Sequence, residues 1–155
     1  MAAAYLNCTG AGRFRAESAG SHPAAAVHPL AIETLERHHI PWTGHPPRGM
    51  DGLEREPWDV VITVCDRAKE SCPFFPGQPV LAHWGMEDPA GAAGSLEAKR
   101  RAFDHAFVTL ARRIDLLLAL PFDKLERREL QGRVRAIGQT TPDAVRVASS
   151  ASHRP

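Results

Sequence analysis

The sequence predicts an α/β layered domain with a short parallel sheet, on three observations. Trp58–Val64 (WDVVITV) is β-branched and apolar on both faces, the pattern of a parallel strand covered by helices on each side. From Ser95 onward, Phe103, Phe107, Leu110, Ile114 and Leu117 recur every four and three residues, the single stripe of an amphipathic helix. Strand-like and helix-like segments also alternate along the chain, as layered α/β domains require.

Met1–Asn7 is Ala-rich and reads as the last turns of a helix, with Gly10-Ala-Gly12 as its stop. Arg13–Ser18 (RFRAES) alternates in type and reads as a short strand. Pro29 can sit in the first turn of a helix, where a missing N–H costs nothing. Leu30, Ile32 and Leu35 give that helix its apolar face, and it ends near His39 and Pro41. Pro41–Pro57 is a loop, broken by Pro46, Pro47, Gly44, Gly49 and Gly52. Val80–Trp84 is a second, shorter strand. Ser95 is a good N-cap for the long helix, with Glu97 in its first turn, and Pro121 closes it. Phe122–Ile137 reads as one further helix, turning Leu125, Leu130, Val134 and Ile137 inward, with Gly138 as its stop. One domain over 1–138 is expected, followed by a disordered tail over 139–155 that is polar and small in composition.

At 155 residues the chain is long enough to bury one core. Lys and Arg number 19 against 18 Asp and Glu, which speaks against nucleic acid or an anionic membrane as the main partner. The paired basics Arg100-Arg101, Arg112-Arg113 and Arg127-Arg128 read as solvated helix faces. No apolar run approaches the roughly 18–20 residues of a membrane span. The opening residues lack the basic and apolar regions of a secretory signal. Three cysteines do not make a disulfide framework and fit a reducing compartment, so a cytoplasmic location is expected.

Candidate chemistry gathers in the stretch from Asp59 to Gly91, and it is redox or phosphatase-like in kind. Cys65 directly follows a strand, at the carboxyl end where α/β sheets place their ligand sites. Unpaired N–H groups at the start of a following turn or helix would favour its thiolate. Cys72 lies seven positions on, too far for a compact redox or zinc pair. Were the intervening residues helical, the two Cα atoms would stand about 10 Å apart. A disulfide tolerates about 7 Å, so bridging requires the segment to unwind. The pair admits two readings: a redox switch, or two unrelated core cysteines. Asp88 precedes Pro89 in a loop bracketed by Gly85 and Gly91 and likewise admits two, a general acid held over a site or an ordinary Asp-Pro turn.

Taken together, RFRAESAGSHP (Arg13–Pro23), VVITVCD (Val60–Asp66), the Cys65/Cys72 spacing and AHWGMEDPAG (Ala82–Gly91) resemble the thioredoxin-linked arsenate reductases, which share the low-molecular-weight protein tyrosine phosphatase fold. The likeness runs to about Gly138. It implies a three-layer sandwich around a short parallel sheet, with Asp88 as the general acid, Cys65 as the second cysteine of a thiol relay and Cys72 as the third. It implies an arsenate or phosphate-like oxyanion as substrate and no bound cofactor. The resulting Cys65–Cys72 disulfide would be reduced by an external thiol: thioredoxin, glutaredoxin or a small thiol.

The sequence departs from that pattern at its start. The family opens with an apolar strand and a Cys-x5-Arg loop, and no cysteine here is followed by arginine at that spacing. Met1 aligns inside the helix that follows the loop, so the first strand is expected to be missing and the chain inactive alone. Cys8 precedes Arg13 and Arg15 with the wrong spacing and is expected to be incidental, at a helix end. Two alternative functions remain: a low-molecular-weight tyrosine phosphatase, disfavoured by the lack of tyrosines beside the Asp88 loop, and a non-catalytic dithiol protein binding arsenite or a partner.

Overall fold

The structure, a computed structural model, describes residues 1–65 and 74–140. Among the described residues the helices and strands are, in order, α1 (Ala2–Thr9), α2 (Pro29–Arg37), β1 (Val60–Thr63), β2 (Val80–His83), α3 (Leu96–Leu118) and α4 (Arg127–Ile137). Single 3-10 turns occupy Leu53–Arg55, Pro89–Gly91 and Phe122–Lys124. The two strands pair in parallel, with Val60 opposite Val80 and Thr63 opposite His83. The architecture is α/β, as expected.

Local chemistry sets the helix ends. α1 closes where the Gly10 N–H reaches Leu6 O at 2.7 Å, and a Cβ on Gly10 would meet that same oxygen at 2.7 Å, so the stop requires glycine. Pro29 opens α2, and His28 caps it by accepting from the Leu30 N–H at 3.1 Å through Nδ1. The helix ends in a Schellman turn: His39 adopts φ 57°, its N–H donates to Glu36 O, and the Ile40 N–H donates to Leu35 O. Ser95 caps α3 by accepting from the Ala98 N–H at 3.2 Å, as the sequence predicts.

The core forms where α3 and α4 meet one face of the sheet. Val80, Ala82, Trp84, Ile114, Leu117, Val134 and Ile137 make one buried cluster, edged by Tyr5 and Leu6 of α1. A second seam joins α2 to α3 through Leu30, Ala31 and Phe103, and a third joins Leu35 and Ile40 to Phe107. Trp84 is 2% exposed and donates its indole N–H to Val134 O at 2.9 Å, fixing β2 against α4. Gly138 lies under this contact: a Cβ there would stand 2.6 Å from Trp84 Cδ1 and 2.7 Å from His83 O.

Several expectations are corrected. Arg13–Ser18 is not a strand. A strand exists only with a ladder partner, and among the described residues the backbone of Ala16 is bonded by a side chain instead. The carboxamide of Asn7 donates to Ala16 O at 2.9 Å and accepts from the Ala16 N–H at 2.8 Å. The rest of the segment is tied by Arg15 to Glu56, by Arg15 over the Trp58 ring and by Glu17 to Arg48. β1 is not covered on both faces: its four residues are half-buried, and Leu81 beside it is 45% exposed.

The expected helix over 122–137 is interrupted, because Leu125 and Glu126 take extended backbone angles. The break lets Phe122 pack edge-on against Phe14 while Val134 and Ile137 bury against β2. Leu130 flanks the core, whereas Leu125 stays outside it. The expected tail after Gly138 is described only as far as Thr140, and 141–155 lie outside the described residues. Among the described residues, no helix is long and apolar enough to cross a membrane.

Candidate active site at the carboxyl end of the sheet

Parallel strands point their carboxyl ends the same way, so whatever follows β1 and β2 meets at one rim. Cys65 is the second residue past β1, and it is a free, exposed thiol. Beyond β2 the chain runs through Trp84 and Gly85 to Asp88. The ladder outlasts the regular strands: the Trp84 N–H donates to Thr63 O at 2.8 Å and the Met86 N–H to Val64 O at 3.2 Å. The residue before Cys65 is thereby bonded to the residue two before Asp88. Two of the three predicted site residues share this rim. The third, Cys72, lies outside the described residues.

Asp88 is exposed and serves its own turn. Its Oδ1 accepts from the Ala90 N–H at 2.9 Å, capping the 3-10 turn Pro89–Gly91, and its backbone carbonyl accepts from the Gly91 N–H at 3.1 Å. The Asp-Pro turn is therefore present, and it fixes the carboxyl group by one oxygen. Beside β1, Thr63 Oγ1 and His83 Nδ1 stand 2.9 Å apart on the face away from the core. Cys8 lies in the last turn of α1, where carbonyls rather than N–H groups face outward, so the helix end offers it no anion-stabilising donors.

Arg113 contradicts the expectation of a solvated face for the Arg112-Arg113 pair. It is 6% exposed and donates to Trp84 O at 3.0 Å, Gly85 O at 3.4 Å and Thr140 O at 3.3 Å. Burial alone lowers its pKa from the usual guanidinium value. The signal was available in the spacing: Arg113 falls three residues after Leu110 and four before Leu117, on the buried stripe of α3. Reading it as half of a basic dipeptide hid that position. Between the Asp88 loop and α3 lies a cavity of about 480 Å³, whose walls include Met86, Asp88, Pro89, His105, Thr109 and Arg113.

A family model described as low molecular weight phosphotyrosine protein phosphatase matches residues 1–129. Among curated proteins, the chain is 37% identical over 65 residues to an arsenate reductase of Staphylococcus xylosus, covering 42% of this chain and 50% of that protein. It is 36% identical over 69 residues to arsenate reductase 2 of Staphylococcus saprophyticus, covering 44% and 53%. To an arsenate reductase of Oceanobacillus iheyensis it is 35% identical over 80 residues, covering 52% and 58%. The chain thus spans about half the length of the curated relatives it matches. With its α/β fold and most of its length matched by the family model, the chain belongs to the low molecular weight phosphotyrosine protein phosphatase family.

Proposed function

We propose that this chain carries the thiol relay of an arsenate reductase. The observation that carries the reading is the exposed, free thiol of Cys65 on the rim that also bears Asp88, in a chain whose matched relatives are named arsenate reductases. Reduction of arsenate to arsenite takes two electrons, and two thiols supply them by closing a disulfide. In the relay, an initiating thiol bonded to arsenic is attacked at sulfur by the Cys65 thiolate. The S–S bond forms as the As–S bond breaks, and arsenite leaves with the electron pair. Cys72 then attacks Cys65, frees the initiating thiol and leaves a Cys65–Cys72 bridge for an external thiol reductant, thioredoxin-like or small. Asp88 gives its proton to the oxygen lost from arsenate.

The initiating step needs a thiol in a cradle of amide donors, and the 155 residues hold no Cys-x5-Arg loop to make one. The relay is accordingly inactive toward arsenate by itself. The test is to oxidise the purified chain with diamide, map its disulfides by mass spectrometry, and follow reduction by thioredoxin. The expected product is a Cys65–Cys72 bridge that thioredoxin opens, with no sustained arsenate consumption and no aryl phosphate hydrolysis. A Cys8-containing bridge as the main product overturns the relay. Arsenate turnover by the chain alone overturns the account of the missing cradle. Hydrolysis of aryl phosphate without thiol consumption favours a phosphatase instead.

A further inference from the structure

A cation at position 113 is an anomaly of the α3 stripe. Its neighbours on that face, Leu110, Ile114 and Leu117, are apolar and buried, and an apolar residue would continue the pattern. Burying a guanidinium costs several kcal/mol. Among the described residues no carboxylate pairs with Arg113, and it donates instead to three neutral carbonyls on two distant parts of the chain. Trp84 and Gly85 are where the chain leaves the sheet toward Asp88. Thr140 lies just beyond α4.

We infer that Arg113 is the positioning residue of the Asp88 loop: its planar fork holds the Trp84 and Gly85 carbonyls, and so sets the course by which Asp88 is carried to the rim beside Cys65. Two features of the loop leave this task to Arg113. Gly85 has no side chain to pack, and a Cβ there would stand 2.8 Å from His83 Nε2, so no larger residue can anchor that corner without displacing the imidazole. The 3-10 turn Pro89–Gly91 rests on α3, but a cleft of about 480 Å³ beside Met86 and Asp88 leaves that support partial. The clamp also ties the loop to the chain after α4, making Thr140 part of the same unit.

The inference rests on the reading of Asp88 as proton donor, but its test needs neither arsenate nor thiol chemistry and so fails or succeeds independently of that reading. Arg113→Lys keeps the charge yet offers a point ammonium that cannot span three carbonyls, whereas Arg113→Met keeps the length and removes the charge. Amide hydrogen exchange is measured in both variants and the parent. The expected result is about tenfold faster exchange at Met86, Ala90 and Gly91 in each variant, with α2 and the rest of α3 unchanged. Protection of the loop equal to the parent in Arg113→Lys overturns the inference. So does an equal loss of protection in α2, α3 and the loop, which would make Arg113 only a core residue.

Discussion

The carboxamide of Gln131 pairs with both backbone groups of Leu81, accepting from its N–H at 3.1 Å and donating to its carbonyl. The outer edge of β2 is thus closed by a side chain that imitates a neighbouring strand, with Arg135 adding a donor to the same carbonyl at 3.3 Å. Asn7 does the same for Ala16. Among the described residues, the far edge of β1 has no such cover. Asp59 and Thr63 turn their carbonyls to β2, so by alternation Val60 and Ile62 turn their peptide groups away. Among the described residues no hydrogen bond to those groups is found. An open edge of this kind is a site for unwanted pairing, and the Gln131 cap limits the exposure to one side.

Gln131→Leu should therefore reopen the β2 edge. The expected cost is about 0.5–1.5 kcal/mol, read as a lower urea midpoint with an unchanged slope. Exchange at the Leu81 amide should accelerate, while that at Trp84, which donates to Thr63, should not. Equal protection of Leu81 in both proteins would show that the carboxamide does not close the edge.

Gly138→Ala tests the seam between β2 and α4. Its φ of −61° suits any residue, so the penalty comes only from the Cβ meeting Trp84 Cδ1 at 2.6 Å and His83 O at 2.7 Å. Overpacking against a backbone oxygen should destabilise by about 1–3 kcal/mol. A red shift of tryptophan fluorescence emission, as Trp84 becomes more exposed, should accompany the loss.

Tyr5 gives the fold an alkaline limit. Burial first, then the hydrogen bond to Asp115 at 2.8 Å and the charge of that carboxylate, push its hydroxyl from 10.0 up to about 12. The raised value means that the neutral phenol is favoured in the folded state. Its stabilisation is complete below pH 10 and is lost as pH rises through about 12, because the unfolded chain ionises first. In Tyr5→Phe this component of the stability change between pH 10 and 12 should vanish, as followed by denaturation midpoints across that range.

The cap that Asp88 makes on its own turn is separable from the proton-donor role proposed for its carboxyl group. Asp88→Asn retains the oxygen that accepts from the Ala90 N–H, so exchange at Ala90 should match the parent. Asp88→Ala removes the cap, and Ala90 should exchange faster at a cost of about 0.5–2 kcal/mol to the turn. If both variants behave alike, the cap does not hold the turn.

Much of this was legible along the chain because it depends on neighbours in sequence. Pro29 and Ser95 open helices, Gly10 stops one, and the stripe through Phe103, Phe107, Leu110 and Ile114 marks the face of α3. Cys65 could be placed beyond a strand because WDVVITV is β-branched and largely apolar, and Asp88 in a turn because Pro follows it. These are short-range properties: backbone sterics, capping donors and periodicity.

Other features are set by what stands across the fold. RFRAES has the pattern of a strand, but a strand needs a ladder, and Ala16 is met by Asn7 instead of another backbone. The helix over 122–137 breaks where Leu125 and Glu126 turn extended, which sets Phe122 against Phe14 at the border of the core that Val134 fills, a placement that no periodicity reveals. Arg113 looks solvated beside Arg112 until three carbonyls from two distant segments surround it. Local sequence determined where helices start and stop, which face of α3 is apolar and which residue types could do chemistry. Only the tertiary structure decided which extended segments paired and which polar groups were buried, because both depend on hydrogen-bond partners far away along the chain.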